Sequence, residues 1–262
     1  MFEATLDSVS TLKKIVDAIK DLVKEANIEC TLQGVSLQAM DGSHVALVSL
    51  TLRKEGFTDF TNHRNITLGV NLKNLDTILK CAGKDDTVTL SAGDKADHLD
   101  IRFVNETSGQ ESSFTIKLMD IDQESLGIPD QEYDTEIKLP SSEFQRICKD
   151  LGQLGDTITI TTVKGAVSFS AAGDIGSGKI TLQANENAEK EEERVEVNQA
   201  RAVSLSFGVR YLRDFTKATS LAPQVSLKLT NNAPLIVEYN FGVLGKIAFL
   251  LLRRSLTMTK KI

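Results

Sequence analysis

Leu118 to Thr135 reads LMDIDQESLGIPDQEYDT. Six carboxylates, at Asp120, Asp122, Glu124, Asp130, Glu132 and Asp134, occupy this stretch without one basic residue. Gly127 and Pro129 break it up, and neither the helical nor the strand period fits across it. Such a run is most simply a solvated connector between two folded units. Leu126 and Ile128 are the exception, because two aliphatic side chains on an acidic strap need apolar surface to lie against. The strap is therefore expected to border a groove. Working outward from it, the chain divides into residues 1–117, the connector 118–135, and residues 136–262.

The two flanks resemble each other. Most of each reads as short strands of alternating apolar and polar residues: Val45 to Leu52, Thr87 to Ala92, Leu99 to Val104 and Ser113 to Leu118 on one side. On the other lie Thr157 to Val163, Ala166 to Ser170, Lys179 to Ala184, Gln224 to Thr230 and Leu235 to Asn240. Four segments carry helical spacing. The first, with Ser10 as its cap, aligns Leu12, Ile15, Val16, Ile19, Leu22 and Val23 on one face. The second aligns Leu72, Leu75, Ile78 and Leu79. A third follows Pro140 with Phe144, Ile147 and Leu151, and a fourth carries Val209, Leu212 and Phe215. Each half thus runs strand, helix, strands, helix, strands. Setting Leu12–Ile15 against Phe144–Ile147 also brings GVSLQAM (from Gly34) near GAVSFSA (from Gly165), as a degenerate tandem repeat would. The expected fold class is α+β, with two similar domains of two helices each packed on β-sheets.

At 262 residues the chain is long enough to bury a core without metals or disulfides. Cys30, Cys81 and Cys148 are isolated and form no metal-ligand pair, and free thiols fit a reducing compartment. MFEATLDSVS lacks the basic start and apolar run of a secretory signal, and Ile247 to Leu252 is too short to span a membrane. No membrane association is expected.

The net charge of −6, from 30 basic and 36 acidic residues, argues in bulk against a nucleic-acid partner. The distribution of charge reverses that reading. Lys13 and Lys20, Lys73 and Lys80, and Arg210 and Lys217 are each seven apart, close to two helical turns, so each pair shares a face. Arg146 and Lys149 are neighbours on the third helix; Lys14, Lys24 and Arg213 add to the first and fourth. Acid gathers instead in the strap and in Glu186 to Glu196 (ENAEKEEERVE), read as a solvated loop or hairpin tip. A basic stripe on one helix is ordinarily solvated surface. On all four helices of a repeated fold it suggests a track for a polyanion. Without a nearby cluster of aromatics the track suits phosphates rather than bases, hence little sequence preference, and the scarcity of aromatics with no Trp argues against a single-strand stacking platform.

Enzyme chemistry is not supported. Gly173 to Lys179 has the GxxxxGK spacing of a phosphate loop, but Ile180 stands where Ser or Thr should hold Mg²⁺, and a strand is expected to follow, so a hairpin turn explains the glycines better. Asp120, Asp122 and Glu124 have the spacing of a calcium loop, yet Ser125 replaces its glycine and Gln131 its closing Glu. His44 has no assignable Ser or Cys partner. No cofactor is implied.

Several separated motifs carry a family resemblance. Gly34 to Phe57 (GVSLQAMDGSHVALVSLTLRKEGF), Arg64-Asn65 with GVNL from Gly69, ILKCAG from Ile78, KLMDID from Lys117, LGIPDQEY from Leu126, RYL from Arg210 and FTKAT from Phe215 resemble, in order, proliferating cell nuclear antigen, the eukaryotic DNA sliding clamp. The resemblance runs from Met1 to about Tyr239. It implies a nuclear, non-enzymatic, homotrimeric closed ring that encircles duplex DNA, serves as processivity factor for the replicative polymerase, and acts as a docking platform in replication and repair. A heterotrimeric checkpoint clamp is the alternative on the same fold.

Residue by residue, the resemblance implies that Lys13, Lys14, Lys20, Lys80, Arg146, Lys149, Arg210 and Lys217 face DNA. Thr77 stands where the family usually has Lys, and Lys73, one turn earlier, is expected to supply that charge. The groove would comprise Met40, His44, Val45, Leu47, Leu126, Ile128, Pro129, Pro234 and Leu250. It would accept partners with QxxLxxFF-type motifs: DNA polymerase delta, flap endonuclease and DNA ligase. The clamp loader, replication factor C, would open and close the ring. Cys81, Phe114 (usually Tyr), Leu151 and Gly178 fall at the subunit contact, and Lys164 matches the ubiquitin and SUMO acceptor. The C-terminus departs from the family. Leu250 replaces a typical aromatic, Leu252-Arg253-Arg254 replaces Ala-Pro-Lys, and SLTMTKKI replaces an acidic tail, so partners using that segment are expected to bind less well.

Overall fold

The computed structural model describes residues 1–93, 96–122, 132–185, 188–231 and 233–252, apart from the side chain of residue 191. It forms two compact units, Met1–Ile128 with Asn240–Ala248, and Pro129–Tyr239 with Phe249–Ile262.

Unit 1 contains β1 (Phe2–Leu6), α1 (Val9–Ile19), β2 (Glu25–Thr31), β3 (Gly34–Met40), β4 (Ala46–Arg53), β5 (Asp59–Asn62), β6 (Ile66–Asn71), α2 (Leu72–Leu79), β7 (Thr87–Ala92), β8 (His98–Asn105) and β9 (Gln110–Lys117). The second half of the chain follows the same order: β10 (Thr135–Pro140), α3 (Ser141–Leu151), β11 (Thr157–Val163), β12 (Ala166–Gly173), β13 (Gly176–Gln183), β14 (Glu196–Gln199), β15 (Ser204–Gly208), α4 (Val209–Phe215), β16 (Gln224–Leu229), β17 (Leu235–Asn240) and β18 (Gly245–Leu251), of which residues 245–248 fall in unit 1 and the rest of β18 in unit 2. Strand, helix, five strands, helix, three strands: the tandem repeat is present element by element, and the fold is α+β.

In unit 1 the strands run β5-β1-β7-β8-β9 in one sheet and β4-β3-β2-β6 in another, all antiparallel. The start of β18, which belongs to this unit, lies beside β4. There Gly245 is at φ 152, and a Cβ would stand 1.9 Å from the Thr51 carbonyl oxygen, so only glycine permits the approach. Unit 2 repeats the plan with β14-β10-β16-β17 and β13-β12-β11-β15.

Alternation places the cores. Phe2, Ala4 and Leu6 on β1, and Leu99, Ile101 and Phe103 on β8, are buried against Leu12, Ile15, Ile19, Leu72, Leu75 and Leu79 from α1 and α2. A cavity of about 50 Å³ remains among these side chains, lined wholly by apolar residues. In unit 2, Phe144, Phe169, Phe207, Phe215 and Phe249 are fully buried, and Phe215 stacks on Phe249 at 4.7 Å.

The structure corrects the first helix at both ends. Ser8, not Ser10, is the cap, its hydroxyl accepting from the Ser10 N–H. The helix stops at Ile19, before Leu22. Val23 is still buried, because the chain turns back with the Leu22 and Val23 N–H groups both donating to the Ile19 carbonyl. Lys24 therefore lies beyond the helix. Gly173 to Lys179 is a tight hairpin turn with Gly173 opposite Gly176, continuing as strand.

The strap is visible at its beginning. Met119 bridges to Gly69 on the edge of β6, its N–H donating to the Gly69 carbonyl at 2.8 Å, while the Asn27 side-chain amide donates to the Ile121 carbonyl at 3.0 Å. A Cβ on Gly69 would meet the Met119 oxygen at 2.1 Å.

Candidate nucleic-acid and partner surfaces

The helices place the cations one by one. In unit 1, α1 packs beside α2, and Lys20 and Lys80 are their respective C-caps, where the helix dipole favours positive charge. Lys20 Nζ contacts Asp17 at 2.5 Å and Asp76 at 3.1 Å; Lys80 Nζ contacts the same Asp76 oxygen at 2.7 Å. Lys13 Nζ, from the middle of α1, donates to the Ala82 carbonyl just past α2 at 2.8 Å. Lys14 and Lys73 are exposed. Lys73 sits in the first turn of α2, where the Asn71 side chain caps Lys73 and Asn74, and Thr77 spends its hydroxyl on the Lys73 carbonyl.

In unit 2, α3 packs against α4 and the 3₁₀ turn Thr216–Leu221 that follows it. Arg146 is held by Glu143 at 2.5 Å and Asp150 at 3.2 Å, and Lys217 by Asp214 at 2.9 Å. Lys217 stands in the 3₁₀ turn rather than on α4. Lys149 and Arg210 are exposed. Among the described residues, Lys14, Lys73, Lys149 and Arg210 make no ion pair. Sequence spacing found the cations because it is local. It missed the carboxylates holding them, although Asp76 to Lys80 is a visible i,i+4 pair.

The predicted groove residues of unit 1 converge on the β3–β4 hairpin. Met40 and Leu47 are cross-strand partners, with Leu47 buried, Met40 and Val45 half-buried and His44 exposed. Asp41 organises the turn between them. Its carboxylate accepts from the Ser43 N–H (3.1 Å), the Val45 N–H (2.8 Å), the Ala46 N–H (2.7 Å) and the Ser43 hydroxyl, and His44 adopts φ 56. Burial opposes the Asp41 charge, but these hydrogen bonds outweigh it and hold the pKa at about 2. A depressed carboxylate stabilises the fold above its unfolded pKa near 4, and that contribution is lost as pH falls through about 2. Asp41→Asn should therefore cost about 2 kcal/mol at pH 7. The difference from wild type, measured by urea unfolding, should hold constant down to about pH 4.5 and shrink below it. A difference independent of pH would reject this account.

The remaining predicted residues are placed as follows. Pro234 and Leu250 belong to unit 2, half-buried and buried respectively. Leu126, Ile128, Pro129 and the altered tail from Arg253 lie outside the described residues. Cys81 is exposed just past α2, and Phe114 is half-buried on β9 with its ring 5.6 Å from Phe103. Leu151 is buried at the end of α3, and Gly178 is half-buried on β13. Lys164 is exposed in the β11–β12 turn, before Gly165 at φ 75. Cys30 and Cys148 are buried, which pushes both thiols up to about 12 and leaves them inert.

Two family models match the chain: "Proliferating cell nuclear antigen, N-terminal domain" over residues 1–126 and "Proliferating cell nuclear antigen, C-terminal domain" over residues 127–254. The chain belongs to the proliferating cell nuclear antigen family. Its fold is that of the family's DNA sliding clamps, and its place is in DNA replication. Both copies of the repeat keep two helices. The cations on those helices stand on the element type the family resemblance assigns to DNA.

Proposed function

We propose that the chain assembles head to tail as a homotrimeric ring that encircles duplex DNA in the nucleus, serving as a non-enzymatic processivity factor and docking platform. The observation that carries this reading is the recurrence of cations on the helix pair of each unit, in a chain of net charge −6. Phosphates of any sequence would meet those cations, and contacts of this kind exchange quickly enough to permit sliding.

Head-to-tail assembly draws on the repeat itself. By order, β18 corresponds to β9 and β4 to β13. The start of β18 lies beside β4 within unit 1, whereas β9 and β13 end their sheets as eight-residue edges among the described strands. Pairing β9 of one copy with β13 of the next would repeat a junction the chain already makes. Cys81, Phe114, Leu151 and Gly178 would flank it. The β3–β4 turn, with Leu126 and Ile128 of the strap, would receive QxxLxxFF-type segments of DNA polymerase delta, flap endonuclease and DNA ligase. Replication factor C would load the ring, and Lys164 would accept ubiquitin or SUMO.

The test is topological. Loaded onto a nicked circular plasmid, the protein should stay bound in high salt and be released when the plasmid is cut, and the free protein should sediment at three times 28.6 kDa. Equal release from cut and uncut plasmid would overturn encirclement. A 28.6 kDa species would favour a subunit of a heterotrimeric clamp.

A further inference from the structure

Asp76 is the one carboxylate among the described residues that touches two of the cations assigned to DNA. It projects from α2, its side chain is 14% exposed, and a single oxygen takes Lys20 at 3.1 Å and Lys80 at 2.7 Å. Lys20 is equally withdrawn, at 14%, and is shared with Asp17. Two lysines and two aspartates thus form a locally neutral cluster that ties α1 to α2. Its geometry differs from the pairs in unit 2. Glu143–Arg146 and Asp214–Lys217 are i,i+3 contacts within a single segment; Arg146 is exposed, where solvent and salt readily screen it, and the second pair is half-buried. Lys20–Asp76 joins residues 56 apart across two helices and is mostly shielded from water.

We propose that Asp76 is an electrostatic brake on the helix face: it holds Lys20 and Lys80 in a neutral cluster, so that a duplex phosphate finds them already engaged, and thereby keeps the clamp's grip on DNA weak. This rests on the reading of that face as the DNA-facing surface. A phosphate approaching Lys80, which is 68% exposed, comes within reach of the Asp76 charge as well. Attraction and repulsion then nearly cancel over a few ångströms. Asp76 stays ionised in the free protein. Burial works against its charge, but the hydrogen bonds from Lys80 and Lys20 prevail and lower its pKa. The exposed Lys14 and Lys73, without such partners, would carry most of unit 1's phosphate attraction.

A purely structural staple would look the same in the coordinates, so the test must separate the two. Both roles predict some loss of stability in Asp76→Asn, and only the brake predicts stronger DNA binding. Binding of the assembled full-length protein to a short linear duplex of mixed sequence is measured by fluorescence anisotropy over a range of salt concentrations. Asp76→Asn should tighten binding several-fold and steepen the slope of log K against log salt by ~0.9 for each further phosphate neutralised. Asp76→Glu should stay close to wild type. Glu189→Gln, an exposed site outside the helices with the same change in net charge, should change nothing. Should Asp76→Asn fold poorly, Asp76→Ser carries the same expectation. Unchanged or weaker binding in these variants, with wild type still binding, would leave Asp76 a staple and overturn the brake. Equal tightening by Glu189→Gln would assign the effect to net charge and overturn it as well. If wild type itself shows no salt-dependent binding, the DNA-facing assignment fails and the brake falls with it.

Discussion

Replacing Lys14, Lys149 and Arg210 with glutamate will abolish retention on circular DNA and stimulation of a polymerase, while the protein still sediments as wild type does. These three cations are exposed and unpaired among the described residues, so reversing them leaves no internal carboxylate newly orphaned. Lys20→Glu would be a poorer choice. It would place a third carboxylate against Asp17 and Asp76 at a site only 14% exposed, and any loss of activity would be confounded by loosening of α1 from α2. Each reversal turns an attraction of about 1 kcal/mol into a repulsion of similar size, so each reversed site costs about 2 kcal/mol, roughly thirtyfold in affinity. Three per chain, multiplied around a ring, exceed what weak phosphate binding can absorb. Normal stimulation by this triple variant, with the oligomer intact, would remove the helices from the DNA-facing surface.

Phe114→Ala is expected to dissociate the oligomer to a folded 28.6 kDa chain. The ring of Phe114 lies midway along the edge strand β9, half-buried, with one side on the fully buried Phe103. An aromatic that finds only part of its cover within its own subunit suits an edge meant to be completed by another strand. Truncating such an anchor costs about 2–4 kcal/mol per interface, and a closed trimer incurs the cost three times. The monomer should hold its fold, because Phe103 keeps the rest of its burial. Sedimentation velocity at micromolar concentration reads the outcome, with far-UV circular dichroism confirming that the chain is folded. A stable trimer of the variant would take Phe114 out of the subunit contact.

How much of this was legible in the sequence follows from how local each signal is. The second helix was readable from Leu72, Leu75, Ile78 and Leu79, which obey one period; its bounds and its Asn71 cap came with the structure. The first helix was read too far because Val23 keeps the apolar phase while the backbone leaves the helix at Lys20. β2 gave no strand signal. Its buried residues are only Ala26 and Cys30, small side chains set among Glu25, Asn27 and Glu29, and its identity comes from pairing on both sides with β3 and β6. The same division runs through the candidate surfaces. Helical spacing exposed the cations, but Asp76 meets Lys20 only through tertiary packing. Nothing local in the sequence marks Asp41 as the carboxylate on which four donors converge.

The seam between Met119 and Gly69 has a consequence for how copies of this protein recognise one another. An unclaimed strand margin invites pairing with any extended segment that drifts past, and proteins that leave long margins bare tend to clump. By pairing Met119 with Gly69, the molecule occupies part of that margin itself. Among the described strands, the other margins are short, four residues at β5 and β14 and five at β15, whereas β9 and β13 offer eight. In the head-to-tail assembly proposed above, self-recognition would thereby be steered to β9 and β13, the longest of these margins.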